Sequence, residues 1–183
     1  MCIRDRPLSS ENEVKDVSME LKSSTFIVKT IETKSQSSSP NPPFRTSTLQ
    51  MTASSFLGFT ADRTMRSAQS LYEAGLITYL RTDGINISTS PNTGEPFSEE
   101  NPGPPPLEEI RNVIHQKYGK EFLSEKVRIY KSKVKNSQEA HEAIRPTNIQ
   151  PFPENLNLGQ DEQKLYSLIW NRTVSSQMSN AQY

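Results

Sequence analysis

The apolar residues of this chain recur at several different spacings, and each spacing predicts an element. From Ser24 to Lys34 the stretch STFIVKTIETK is rich in β-branched residues and lacks helix punctuation, which predicts one strand with Phe26 and Val28 on one face. A lone strand needs partners, so its sheet is expected to be completed elsewhere. From Gln36 to Arg45 serine and proline dominate, and a domain boundary is placed there. Ser47, with Gln50 three residues later, has the form of a capping box. Leu49, Ala53, Phe56 and Leu57 then repeat at helical spacing up to Gly58. Thr60 can cap a second helix with Met65, Ala68, Leu71 and Tyr72 on one side, stopped by Gly75. Two helices joined by so tight a turn predict a helix-turn-helix-like unit.

Leu76 to Arg81, LITYLR, is too short for a stable helix and alternates, which predicts a strand with Ile77, Tyr79 and Arg81 on one face. On such a strand Tyr79 and Arg81 lie roughly 7 Å apart, close enough for one phosphate to touch both. Ser88 to Pro106 holds six of the 13 prolines in a polar background and reads as a surface loop. Leu107, Ile110, Ile114 and Tyr118 mark a helix entered through Pro106 and ended by Gly119, and Val127 to Lys131 resembles a second short strand. Ser137 can cap a helix over Gln138 to Ile144. That helix must end near Arg145, because Pro146 disfavours helical backbone in the residue before it. Gln138, His141 and Arg145 would then share one side. The last helix starts near Asp161, with Leu165, Leu168 and Ile169 as its buried stripe and Trp170 nearby. The chain reaches Tyr183 without a stop signal, so a continuation is expected. Met1 to Arg6 shows no periodicity and reads as a non-native scar.

Composition narrows the function classes. Lys+Arg and Asp+Glu are both 21, so any DNA contact must be local rather than a property of net charge. The concentrated basic stretch is Lys126, Arg128, Lys131, Lys133 and Lys135, which could follow a phosphate backbone or face solvent. Hydrophobic residues make up 32% of the 183, below the usual figure of about 45%, as expected of a piece that packs fully only in a larger protein. The single cysteine, Cys2, excludes a disulfide framework, a four-cysteine zinc site and a Cys-x-x-Cys redox pair within the chain. No run approaches the roughly 18 apolar residues of a membrane span. His141 followed by Glu142 is not a zinc-protease helix, because Arg145 stands where the second histidine belongs.

Three segments, FRTSTLQ (Phe44 to Gln50), LYEAGLITYLRTDG (Leu71 to Gly84) and NSQEAHEAIRPT (Asn136 to Thr147), together resemble the type IA DNA topoisomerases of the bacterial topoisomerase I kind, in the family's order. The likeness continues through KLYSLIWNR (Lys164 to Arg172) and covers about Phe44 to Tyr183. The resemblance implies an α+β, mainly helical fold: a winged-helix-like catalytic-tyrosine domain over 46–183, with residues 7–45 as linker and part of an arch-like β domain. It implies that Tyr79 of Thr78-Tyr79-Leu80-Arg81-Thr82-Asp83 is the nucleophile, with Arg81 as its basic partner. His141 is implied near the active-site phosphate, with Arg145 supporting the same anionic surface. Thr82 and Asp83 read as structural. Gly84 stands where many members have serine, and the proline-rich loop is longer than expected.

The resemblance further implies a transient 5′-phosphotyrosine link to single-stranded DNA and relaxation of negative supercoils by a monomer in the cytoplasm or nucleoid, or in an organelle if the source is eukaryotic. Magnesium would be bound by carboxylates of a domain absent from this chain, which alone should be inactive. Tyrosine is a suitable temporary partner because one phosphodiester is exchanged for another of similar energy. A free phenol ionises only near pH 10, so attack needs proton removal or stabilisation of phosphate charge, and an arginine supplies charge without losing its proton. Tyrosine recombinases also combine arginine, histidine and tyrosine, but there the tyrosine follows the basic residues; here it comes first. A noncatalytic winged-helix DNA-binding module is the alternative.

Overall fold

The structure, a computed structural model, describes residues 10–88, 105–130 and 142–183. The chain divides into two units, Met1–Ser35 and Gln36–Tyr183. The second therefore begins ten residues before Thr46, the first residue assigned to the tyrosine domain from sequence.

In the first unit, α1 (Glu11–Ser23) starts where the Ser10 hydroxyl accepts from the Glu13 N–H at 3.2 Å. Glu11 and Glu13 in its first turn and Lys22 in its last complement the helix dipole. None of its residues is buried, and so thin an apolar stripe predicted no element. The strand expected over Ser24 to Lys34 does not form. Residues 24–34 carry no ladder, and Phe26, Ile27, Val28 and Ile31 are 76–82% exposed. β-propensity expresses packing against neighbours, and no described segment supplies a neighbour here.

The second unit is helix-rich with one small sheet. β1 (Ser37–Ser38) pairs antiparallel with β2 (Ala181–Gln182), closing the two ends of the unit on each other. α2 (Thr46–Leu57) begins two residues earlier than the Ser47 cap predicts, because the cap is built from other residues: the Thr48 hydroxyl accepts from the Arg45 N–H at 3.1 Å. Leu49 and Ala53 are buried, whereas Phe56 is 78% exposed. Gly58 ends α2 at φ +66°, and Thr60, accepting from the Arg63 N–H, opens α3 (Ala61–Glu73). At the other end of α3 the Leu76 and Gly75 N–H groups donate back to the Leu71 and Tyr72 carbonyls, with Gly75 at φ +71°. This pair of bonds is the glycine-dependent helix stop that Gly75 predicted.

α4 (Pro106–Lys117) and α5 (Gln160–Ser175) complete the set. α5 touches α2, α3, α4 and the 3-10 turn Pro153–Asn155, and it buries Leu165, Tyr166, Ile169, Trp170, Thr173 and Val174. Leu168 lies at the core's margin. The Trp170 indole N–H donates to the Ile149 carbonyl, and its ring meets Phe152 edge-on at 5.6 Å.

The strand expected over Val127 to Lys131 is also absent from its described part, residues 127–130, and the physical substitute is visible. The Gln177 amide accepts from the Arg128 N–H and donates to the Arg128 carbonyl. Asn86 does the same for Tyr130. Two side-chain amides thus satisfy backbone groups that a neighbouring strand would otherwise satisfy.

Replacing Leu165, fully buried on the hub helix, by alanine is expected to lower unfolding free energy in urea by about 2–5 kcal/mol. At Gly75 a Cβ meets nothing within 4 Å, so Gly75→Ala should cost only the left-handed backbone penalty, on the order of 1 kcal/mol, in the same measurement.

Candidate active site

Tyr79 lies on a bent segment, not on a strand. Between Leu76 and Thr82 there is one antiparallel bridge, Ile77 to Pro146, and a second bridge joins Phe44 to Ile144. Ile77, Leu80 and Thr82 point inward, while Tyr79 is 47% exposed and Arg81 is exposed. The alternation expected for Ile77, Tyr79 and Arg81 therefore fails at Ile77, because the chain turns after it. Tyr79 and Arg81 remain together on the outside.

Threonine hydroxyls hold this bend. Before Tyr79, the Thr78 N–H donates to the Arg145 carbonyl at 2.9 Å, and the Thr78 hydroxyl donates to the Ala143 carbonyl at 2.8 Å while accepting from the Arg145 N–H at 3.0 Å. After Tyr79, the Thr46 hydroxyl donates to the Leu80 carbonyl at 2.7 Å and accepts from the Thr82 N–H at 2.9 Å. The Thr82 hydroxyl in turn donates to the Glu142 carbonyl at 2.9 Å. Such side-chain bonds compete with regular secondary structure, which is why neither strand nor helix persists here. Thr82 is a structural residue, as its position in the motif predicted. The parts played by Thr46 and Thr78 were not read from sequence, although a cluster of threonines around a short apolar run is the signal that marks them.

Residues 142–146 run extended beside this bend. The helix expected over Gln138 to Ile144 is thus absent from its described end, where the Ile144 N–H donates to the Phe44 carbonyl at 2.7 Å and the Ala143 N–H to the Asn86 carbonyl at 2.9 Å. Pro146 biases Arg145 toward extended backbone, and Phe44 offers a ladder partner. His141 lies outside the described residues, as do Lys131, Lys133 and Lys135. Of the remaining basic stretch, Lys126 is exposed, whereas the Arg128 guanidinium donates to the Met178 carbonyl and to Asn180.

Arg145, expected on an anionic surface, is turned inward. Its side chain is 3% exposed, its Nε and Nη2 donate to the two Glu142 carboxylate oxygens at 2.7 and 3.0 Å, and Nη1 donates to the Pro146 carbonyl. Glu109 on α4 also feels its charge: burial raises the Glu109 carboxyl above its ordinary range, and Arg145 opposes that rise.

The six tyrosines differ sharply in availability. Tyr166 is fully buried, and burial pushes its phenol up to about 12. Tyr130 donates to the Ser176 carbonyl at 2.7 Å, and burial raises its phenol against the pull of Arg128 and Arg172. Tyr79 instead projects outward, its ring meeting the edge of Tyr72 at 5.6 Å and 68°. Beside it runs an open groove of about 580 Å³ lined by Asp62, Met65, Arg66, Gln69, Leu80 and Arg81, which places two guanidinium groups next to the tyrosine loop. Among the described residues no group of three or more His, Cys, Asp or Glu side chains is placed to hold a metal ion.

A protein-family profile described as DNA topoisomerase matches residues 2–183. The chain is 46% identical to DNA topoisomerase 1 of Rickettsia bellii over 183 residues, covering 94% of this chain and 21% of that protein. It is 41% identical to DNA topoisomerase 1 of Helicobacter pylori, covering 98% of this chain and 24% of that one. The full-length topoisomerase I of Thermotoga maritima superposes with a TM-score of 0.70 at 32% identity, covering 99% of this chain and 27% of that structure. The chain thus spans about a fifth to a quarter of the length of the relatives it matches. A profile match over nearly every residue, together with identities above 40%, establishes that this chain belongs to the type IA DNA topoisomerase family.

Proposed function

We propose that this chain carries the nucleophile of a type IA topoisomerase and that Tyr79 is that nucleophile. The observation that carries the reading is the contrast at one bend: both flanks of Tyr79 are tied down by backbone and threonine hydrogen bonds, while its ring and Arg81 face outward beside a groove bearing a second arginine. A fixed backbone under an exposed phenol is what in-line attack on a phosphodiester demands. The Tyr79 phenol gives up its proton as its oxygen forms a bond to phosphorus, the bond from phosphorus to O3′ breaks, and O3′ takes up a proton and leaves as a hydroxyl, so that one proton is lost and one gained. The product is a 5′-phosphotyrosine link. Attack by the same O3′ hydroxyl reverses the step and reseals the strand, so no external energy source enters.

Arg81 stabilises the charge that develops on the phosphate oxygens and never needs to give up its proton. His141 is proposed to donate to, or shuttle a proton at, the same phosphate. The substrate class is single-stranded DNA within a negatively supercoiled molecule, because the attacked phosphate must reach an exposed tyrosine without a duplex around it. In this reading α2, the Gly58–Thr60 turn and α3 form the helix-turn-helix half of a winged-helix-like domain, and the parent protein works as a monomer on DNA of the cytoplasm and nucleoid. Magnesium belongs to parts of the parent beyond the described residues, and no step here runs through it.

In the full-length parent incubated with single-stranded DNA and magnesium, then denatured, wild type should yield a covalent DNA adduct and Tyr79→Phe none. An adduct that survives in Tyr79→Phe assigns the chemistry to another residue. No adduct in either protein, with DNA still bound, favours a noncatalytic DNA-binding module. Arg81→Ala should slow adduct formation by about 10²-fold or more, and Arg81→Lys less, when rates are compared at saturating DNA.

A further inference from the structure

The Glu142–Arg145 ion pair joins a guanidinium that is 3% exposed to a carboxylate that is 23% exposed, and the reaction as set out above does not use it. We infer that it is a positioning element for Tyr79, resting on the reading of Tyr79 as nucleophile. The four residues from Glu142 to Arg145 supply the carbonyls that hold the tyrosine bend from both sides. Glu142 accepts from the Thr82 hydroxyl, Ala143 from the Thr78 hydroxyl, and Arg145 from the Thr78 N–H. The bidentate bond between the two side chains spans those same four residues, so it fixes the spacing of the three acceptors.

Glu142 extends the brace further, accepting from the Ser88 N–H through Oε1, and Arg145 extends it to the Pro146 carbonyl. A backbone clamp with no ladder of its own depends on such a brace.

The alternative role for Arg145, direct contact with a DNA phosphate, conflicts with its surroundings. Its charge is met by Glu142 and felt by Glu109, and its side chain is 3% exposed. A phosphate would have to displace the half-buried Glu142 carboxylate from a guanidinium that is itself buried, and would leave that carboxylate without its cation. Positioning asks only that the pair stay where it is.

The test uses the full-length parent with three variants, Arg145→Lys, Glu142→Gln and Leu165→Ala, measuring single-stranded DNA affinity, adduct formation at saturating DNA, and thermal midpoint. Lysine keeps the charge but cannot form the two-pronged bond, and glutamine keeps the shape but loses the charge. Arg145→Lys should slow adduct formation at saturating DNA by about 10²-fold, the loss that an ångström-scale misplacement of a nucleophile produces, with affinity unchanged within about twofold. Glu142→Gln should move in the same direction by less. Leu165→Ala, a core change away from the clamp, should lower the midpoint without slowing adduct formation at a temperature where it is folded. Weakened affinity in Arg145→Lys, with a salt dependence reduced by about one ion, would make Arg145 a phosphate contact and overturn the inference. So would unchanged adduct formation in both charge-pair variants, or an equal slowing in Leu165→Ala. Should Arg145→Lys fail to fold, Glu142→Gln decides alone. The Tyr79→Phe control separates the two readings: an adduct persisting there removes the nucleophile assignment and this inference with it, whereas its loss there leaves the charge-pair variants as the deciding result.

Discussion

The three other helices described in the larger unit all pack against one late helix. α5 is touched by α2, α3 and α4, and its Leu165, Tyr166, Ile169 and Trp170 fill the middle of the core. Each of the other helices has too narrow an apolar face to be stable alone, since short helices in water depend on packing more than on propensity. The tyrosine loop is connected to this assembly through Ile77 and Leu80, which are buried, and through α3, which packs on α5. The hub therefore sets where the loop is, while the loop's own geometry is set by polar bonds.

That division of labour places two kinds of interaction side by side. Apolar burial is non-directional and tolerates small shifts. The hydrogen bonds of Thr46, Thr78 and Thr82 are directional, and several of them close around a single exposed tyrosine. A site made this way keeps its tyrosine in solvent without keeping it loose. Arg66 and Arg81 bring two positive charges to a groove that Asp62 also lines, so in a chain whose net charge is zero any attraction for an anion there is local.

Much of this was legible in the sequence, and the failures share a cause. Thr60, Gly58, Gly75 and Gly119 punctuate the helices where their chemistry predicts, and Tyr79 and Arg81 emerge together. The strands were misread because alternation reports which side chains are buried, not whether a neighbouring backbone exists. Ser24 to Lys34 has no described partner, and residues 127–130 find side-chain amides in place of one. Arg145 was read as a surface cation because helical spacing aligned it with His141. Extended backbone from Glu142 replaces the described end of that helix, and Glu142 itself captures the guanidinium. Non-local partners of this kind leave almost no trace in a single sequence.

Apart from the Thr46 bonds, the clamp around Tyr79 joins residues 60 to 72 positions apart: Thr82 to Glu142, Thr78 to Ala143 and Arg145, Gly75 to Thr147. A ribosome makes the tyrosine long before it makes the acceptors, and domains emerging from it gain structure only as their parts become available. A chain grown no further than Tyr130 has Thr78 and Thr82 but none of the carbonyls that orient them, and it also lacks the hub helix. The tyrosine is thus held in this geometry only after most of this unit has been synthesised, so under the function proposed above an unfinished protein presents no poised phenol to DNA.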